Sequence, residues 1–116
     1  MNFLQNLFGG GGADGYKRIS APEAKAKLAV KGVTLLDVRS AGEYRGRRIA
    51  GSVNIPVDVI GRQAAQRLPK KDTPLIVYCA SGGRSRSAAQ QLLALGYTDV
   101  SDLGGLMSWP FETVSG

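Results

Sequence analysis

The sequence predicts an α/β domain with a central, mostly parallel sheet covered by helices on both faces. Two stretches, 33–38 and 75–78, are near-continuous apolar runs rich in branched residues, as strands buried on both faces are. Such runs alternate along almost the whole chain with segments of helical spacing. Hydrophobic residues at 43% and charged residues at 21% are near globular averages, so the chain has the apolar content to fold.

The elements follow in order. Residues 16–19 make a short first strand. Ser20 and Glu23 have capping-box spacing and Pro22 suits a first turn. The helix they open buries Ala24, Leu28, Ala29 and Val30, and Gly32 stops it. The run 33–38 is the next strand, with Asp37 and Arg39 at its end; these two are expected to hold the strand end by ion pairing. Ser40 and Glu43 repeat the capping spacing and open a helical turn ending near Gly46. Residues 52–55 form a strand that Pro56 ends, and 58–68 form a helix that Gly61 weakens. Residues 69–74 return the chain to the strand at 75–78. Cys79 follows, then a short loop, then a helix from about Ser85 with Ala88, Ala89, Leu92, Leu93 and Leu95 at its apolar positions, closed by Gly96. A last strand lies within 98–103, and Gly104 and Gly105 turn the chain toward Trp109, where Pro110 breaks it.

With 116 residues there is room for one small domain and a single core. The expected division is an N-terminal apolar tail and glycine-rich linker at 1–15 and one domain at 16–116. The tail places Phe3, Leu4, Leu7 and Phe8 at helical spacing but has no basic n-region and no long apolar core. It is neither a secretory signal nor a membrane span, which sets the expectation of a cytoplasmic protein without a transmembrane segment.

Fifteen Lys and Arg against nine Asp and Glu give a net charge of +6. The basic residues are scattered and no aromatic residues interleave with them, so the charge is read as steering for a small anion, with no nucleic-acid partner expected. A single cysteine excludes an internal disulfide. The absence of histidine rules out a zinc site of ordinary composition and any papain-like cysteine and histidine pair. No metal and no cofactor is expected.

The chemistry is expected at Cys79. The thiolate is the reactive form of cysteine, and it needs positive potential nearby at neutral pH. The loop Ala80, Ser81, Gly82, Gly83, Arg84, Ser85 can supply that potential. Two glycines let successive N–H groups point into one concavity, the following helix adds its unpaired N–H groups, and Arg84 adds a permanent charge. A lone cysteine is otherwise most often a small buried apolar residue, and glycines between a strand and a helix are common in tight turns. Ligands of open parallel sheets bind at the carboxyl ends of the strands, which is where Cys79 falls.

Four pieces in order resemble the single-domain rhodaneses, the sulfurtransferase module, over about residues 16–109. Leu35, Leu36, Asp37, Val38 and Arg39 look like the family's second-strand signature. Glu43 and Tyr44, followed by residues 49–56, look like its next element. Cys79 to Ser85 resembles its active-site loop, and Leu103, Gly104, Gly105, Leu106 and Trp109 its closing motif. The resemblance implies a rhodanese-like fold with about five strands. It also implies that Cys79 attacks the outer sulfur of a small anionic donor such as thiosulfate and becomes a persulfide. Cyanide or a thiol, including a protein thiol, then takes the sulfur in a ping-pong cycle. In that cycle the backbone of Ala80 to Ser85 stabilises the sulfur, Arg84 orients the donor, and Ser81 and Ser85 either donate into the loop or cap the helix. Where the family often carries Gly-His, this chain has Arg47 and Arg48, which leaves donor preference open.

Two other functions compete. Related cysteine loops cradle oxyanions in phosphatases and arsenate reductases, but that signature places five residues between cysteine and arginine and this chain places four. A binding or sulfur-carrier module would keep the fold and recruit a partner; retention of both the cysteine and the arginine speaks for catalysis.

Overall fold

The computed structural model describes residues 15–116, so the expected N-terminal tail lies outside the described residues except for Gly15. The chain runs β1 (Lys17–Arg18), α1 (Ala21–Leu28), β2 (Thr34–Asp37), α2 (Ala41–Gly46), β3 (Val53–Asn54), a 3-10 turn (Val57–Val59), α3 (Ile60–Arg67), β4 (Leu75–Cys79), α4 (Gly83–Ala94), β5 (Val100–Gly105) and a second 3-10 turn (Leu106–Ser108). The five strands form one sheet in the order β1-β5-β4-β2-β3, and every pairing is parallel.

Alternation along the central strands sorts side chains into two cores. From β4, Leu75, Val77 and Cys79 point to one face, where Ile60, Ala64 and Leu68 of the α3 region and Ala88, Ala89 and Leu92 of α4 cover them. Ile76 and Tyr78 point to the other, against Ala24 of α1, Ile49, Leu106 and Trp109. The helices thus lie on both faces, as the alternating pattern predicts. Among the described residues, no helix is long and apolar enough to cross a membrane.

Both predicted capping boxes form: Ser20 with Glu23 starts α1 and Ser40 with Glu43 starts α2, each with reciprocal side-chain and backbone bonds. Three local expectations are corrected. Helix α1 ends at Leu28, earlier than the apolar spacing suggests, so Ala29 and Val30 leave the buried face and Val30 is 63% exposed. Helix α4 begins at Gly83, before Ser85, because Gly82 at φ +116° reverses the chain immediately after the strand. Its apolar face stops short of Leu95, the last of the predicted positions, which lies exposed at the helix C-cap.

Between β4 and β5 the register slips: Val77 faces Asp102 while Tyr78 faces Gly104 and Cys79 faces Gly105. Gly104 takes φ +91° at this bulge, and its N–H donates to the Asp102 carboxylate at 2.9 Å. The two glycines expected to follow the last strand therefore belong to it, and the bulge brings Gly105 beside the loop that follows Cys79.

Candidate active site

Cys79 is the last residue of β4 and is 1% exposed, packed with Val38, Val77 and Ala88 in the α3/α4 core. Its position follows from the strand's alternation. The loop then closes over the sulfur. The Gly82 N–H donates to Cys79 Sγ at 3.0 Å, and the left-handed turn at Gly82 makes that approach possible. Ser85 is fully buried, and its hydroxyl donates to the Gly82 carbonyl at 3.0 Å, which also accepts from the Arg86 N–H. Of the two roles open to Ser85 in the sequence, donation into the loop holds and capping of the helix does not: its hydroxyl braces the turn at Gly82. No side chain caps α4, so no side-chain acceptor takes up its first-turn N–H groups, which follow directly on the Gly82 donor. Ser81 is exposed on the loop's outer side.

The loop's other flank rests on β5. The Met107 N–H donates to the Ala80 carbonyl at 3.2 Å. A Cβ built on Gly105 would lie 2.3 Å from the Ala80 oxygen and 2.7 Å from Ser81 Cα, so only glycine lets strand and loop approach this closely.

Arg84 lies where the loop meets α4, but its guanidinium does not stand alone. It forms a two-pronged ion pair with Glu43, Nη1 to Oε1 at 2.7 Å and Nη2 to Oε2 at 3.0 Å. Glu43 is positioned by the capping box of α2, where it also accepts from the Ser40 N–H at 3.0 Å. The Arg84 bonds, aided by those from Ser40, hold the Glu43 carboxyl down to about 2, and the same pairing raises Arg84 above its ordinary value. The spacing shows Glu43 as a helix cap and the resemblance shows it as the start of a family motif; its task as the partner of Arg84 crosses from α2 to α4 and leaves no trace in local spacing.

Under the site lies a buried polar layer. Arg39 and Asp37 pair through Nε and Nη2 at 2.7–3.2 Å, with side chains 6% and 0% exposed. Arg39 also donates to the Arg47 carbonyl, and Asn54 ties the Asp37 and Arg39 carbonyls together. The Tyr78 hydroxyl accepts from the Ile49 N–H at 3.1 Å and lies 3.2 Å from Ser52 Oγ; burial pushes it up to about 12, with Asp37 adding to the rise. This layer pins the ends of β2, β3 and β4 from which the loop departs. Arg47 and Arg48 have partners outside the loop: Arg47 bonds Thr113, Arg48 stacks over Tyr44 at 4.8 Å, and the Arg48 backbone pairs with Val114.

Glu43→Gln is expected to act through Arg84. It should raise the KM for an anionic sulfur donor in the wild-type background and have little further effect once Arg84 is Ala; equal effects in both backgrounds would contradict the pairing. On stability, a lowered folded-state value means that the pair contributes fully above the carboxyl's ordinary 4.5 and loses that contribution as pH falls through about 2. Both side chains are more than a third exposed, so solvent screening keeps the effect under about 1 kcal/mol. Thermal melts of Glu43→Gln and wild type should therefore differ at neutral pH and converge toward pH 2.

Comparison with known proteins agrees with this architecture. The family model for the rhodanese-like domain matches residues 20–110. Thiosulfate sulfurtransferase GlpE of Pseudomonas savastanoi pv. phaseolicola is 37% identical over 106 residues, covering 87% of this chain and 97% of that protein. Thiosulfate sulfurtransferase PspE of Escherichia coli is 33% identical over 81 residues, 70% of this chain and 78% of that one. The structure of the human single-domain sulfurtransferase TSTD1 superposes with a TM-score of 0.72 at 30% identity, covering 79% and 93% of the two chains. With the fold, the cysteine loop and these relatives in agreement, the chain belongs to the rhodanese-like domain family and is a rhodanese-type sulfurtransferase.

Proposed function

We propose that this protein moves the outer sulfur of thiosulfate to a thiol or to cyanide through a persulfide on Cys79. The observation that carries this reading is the Gly82 N–H aimed at Cys79 Sγ at 3.0 Å, beside an uncapped helix N-terminus. The Cys79 thiolate attacks the outer sulfur of the donor. A new S–S bond forms, the donor's own S–S bond breaks, and sulfite leaves with the electron pair. An acceptor thiolate or cyanide then attacks the terminal sulfur, and the Cys79 thiolate departs. Neither step needs a proton acceptor, which fits a chain without histidine. In each step the charge ends on a sulfur that faces oriented N–H donors. Backbone donors from Ala80 to Ser85 hold that sulfur, and the Arg84–Glu43 pair forms the wall past which the donor enters.

The four-residue spacing between Cys79 and Arg84 and the orientation of Arg84 toward Glu43 both speak against a phosphoryl-binding ring. Initial rates measured against thiosulfate and cyanide together test the cycle. Parallel lines in double-reciprocal plots are expected, because sulfite leaves before the acceptor binds; intersecting lines would require both substrates bound at once and would contradict a persulfide intermediate.

A further inference from the structure

A cleft of about 440 Å3 opens beside the cysteine loop, within the 300–1,000 Å3 range of small-molecule sites and larger than a thiosulfate ion needs. Its lining is mostly apolar, from Val38, Ala41, Pro56, Val57 and Val59, with Ser40, Asp58 and Arg84 as the polar members. Val38 belongs to the apolar cluster that contains Cys79, Val57 and Val59 pack against that cluster, and Arg84 of the cysteine loop lines the cleft. Two charged side chains thus line it, and they are not equivalent. The charge of Arg84 is matched by Glu43. Asp58 sits exposed between two valines, and among the described residues it makes no hydrogen bond or ion pair.

We propose that this cleft is the acceptor subsite and that Asp58 selects thiols carrying an ammonium group, an aminothiol in preference to a thiol carboxylate. The inference rests on the sulfur-transfer reading above and goes beyond it by naming the acceptor's charge. The apolar walls receive the acceptor's carbon chain, the thiol faces the Cys79 persulfide, and the ammonium lies against the unpaired Asp58 carboxylate. The donor dianion is served by the backbone N–H groups of the loop, so the two half-reactions draw on different charges. Asp58 is solvent-exposed, which makes the selectivity modest and sensitive to salt.

The test compares wild type with Asp58→Asn in two ways. In the first, protein loaded with thiosulfate and freed of excess donor is mixed with cysteamine, 2-mercaptoethanol or 3-mercaptopropionate, and persulfide loss is timed. Taking the ratio of cysteamine to 3-mercaptopropionate within each protein, and then between proteins, cancels the thiols' own reactivities. That ratio is expected to fall about fivefold in Asp58→Asn at low salt, the size an exposed charge can produce, and the difference should shrink at high salt. In the second, the unloaded Cys79 thiol is modified with methanethiosulfonates bearing a trimethylammonium or a sulfonate group. The same change in ratio is expected. Charge ratios unaltered by the substitution would overturn the assignment of Asp58. A shift with the methanethiosulfonates but no loading by thiosulfate would uphold the charge selection of the cleft and overturn the sulfur-transfer reading instead.

Discussion

Cys79→Ser is expected to abolish both sulfur loading and turnover while leaving the fold in place. Serine is nearly isosteric with cysteine, and the position is 1% exposed within a core whose other members are held by the strand and by α4. The Gly82 N–H that donates to sulfur can donate to the hydroxyl instead. What the hydroxyl lacks is acidity, nucleophilicity toward sulfur and the ability to carry a second sulfur atom. Circular dichroism and the thermal midpoint should remain near wild type, while thiosulfate:cyanide transfer falls to background. Measurable transfer by the serine variant would mean that the sulfur passes through another group.

Gly105→Ala should have the second largest effect, although residue 105 takes no part in the chemistry. The added methyl would enter the space of the Ala80 carbonyl and the Ser81 backbone, which are themselves fixed by the Met107 bond and by the turn at Gly82. Backbone on both sides gives no flexible side chain to swing away, so the loop or the strand must shift. Overpacking of this kind costs about 1–3 kcal/mol. A displacement of about 1 Å at reacting groups costs on the order of 100-fold in rate. A moderately lowered melting temperature with turnover reduced about 100-fold is therefore expected. Full activity in this variant would show that the loop's seat on β5 does not set the geometry of Cys79.

Much of this arrangement is legible in the sequence because its signals are local. The apolar runs ending at Val38 and at Cys79 and the two capping boxes each act within a few residues, and each appears where the spacing places it. The misplaced details have a common cause. Val30 has helical spacing but lies past the point where α1 ends, because the chain must turn there toward β2. Gly104 and Gly105 look like a turn, yet pairing with β4 holds them in the sheet through a bulge. The Glu43–Arg84 pair joins residues 41 positions apart, and Asp58 is left without a partner only once the whole fold is assembled. Such features depend on tertiary contacts that no short window contains.

The persulfide on Cys79 is the central claim, and the intact mass of the reduced protein after incubation with thiosulfate tests it most directly, with Cys79→Ser alongside. The expected result is a gain of one sulfur atom in the wild type, reversed by cyanide or by a thiol and absent from the variant. An unchanged mass, or a gain that persists in Cys79→Ser, would contradict it.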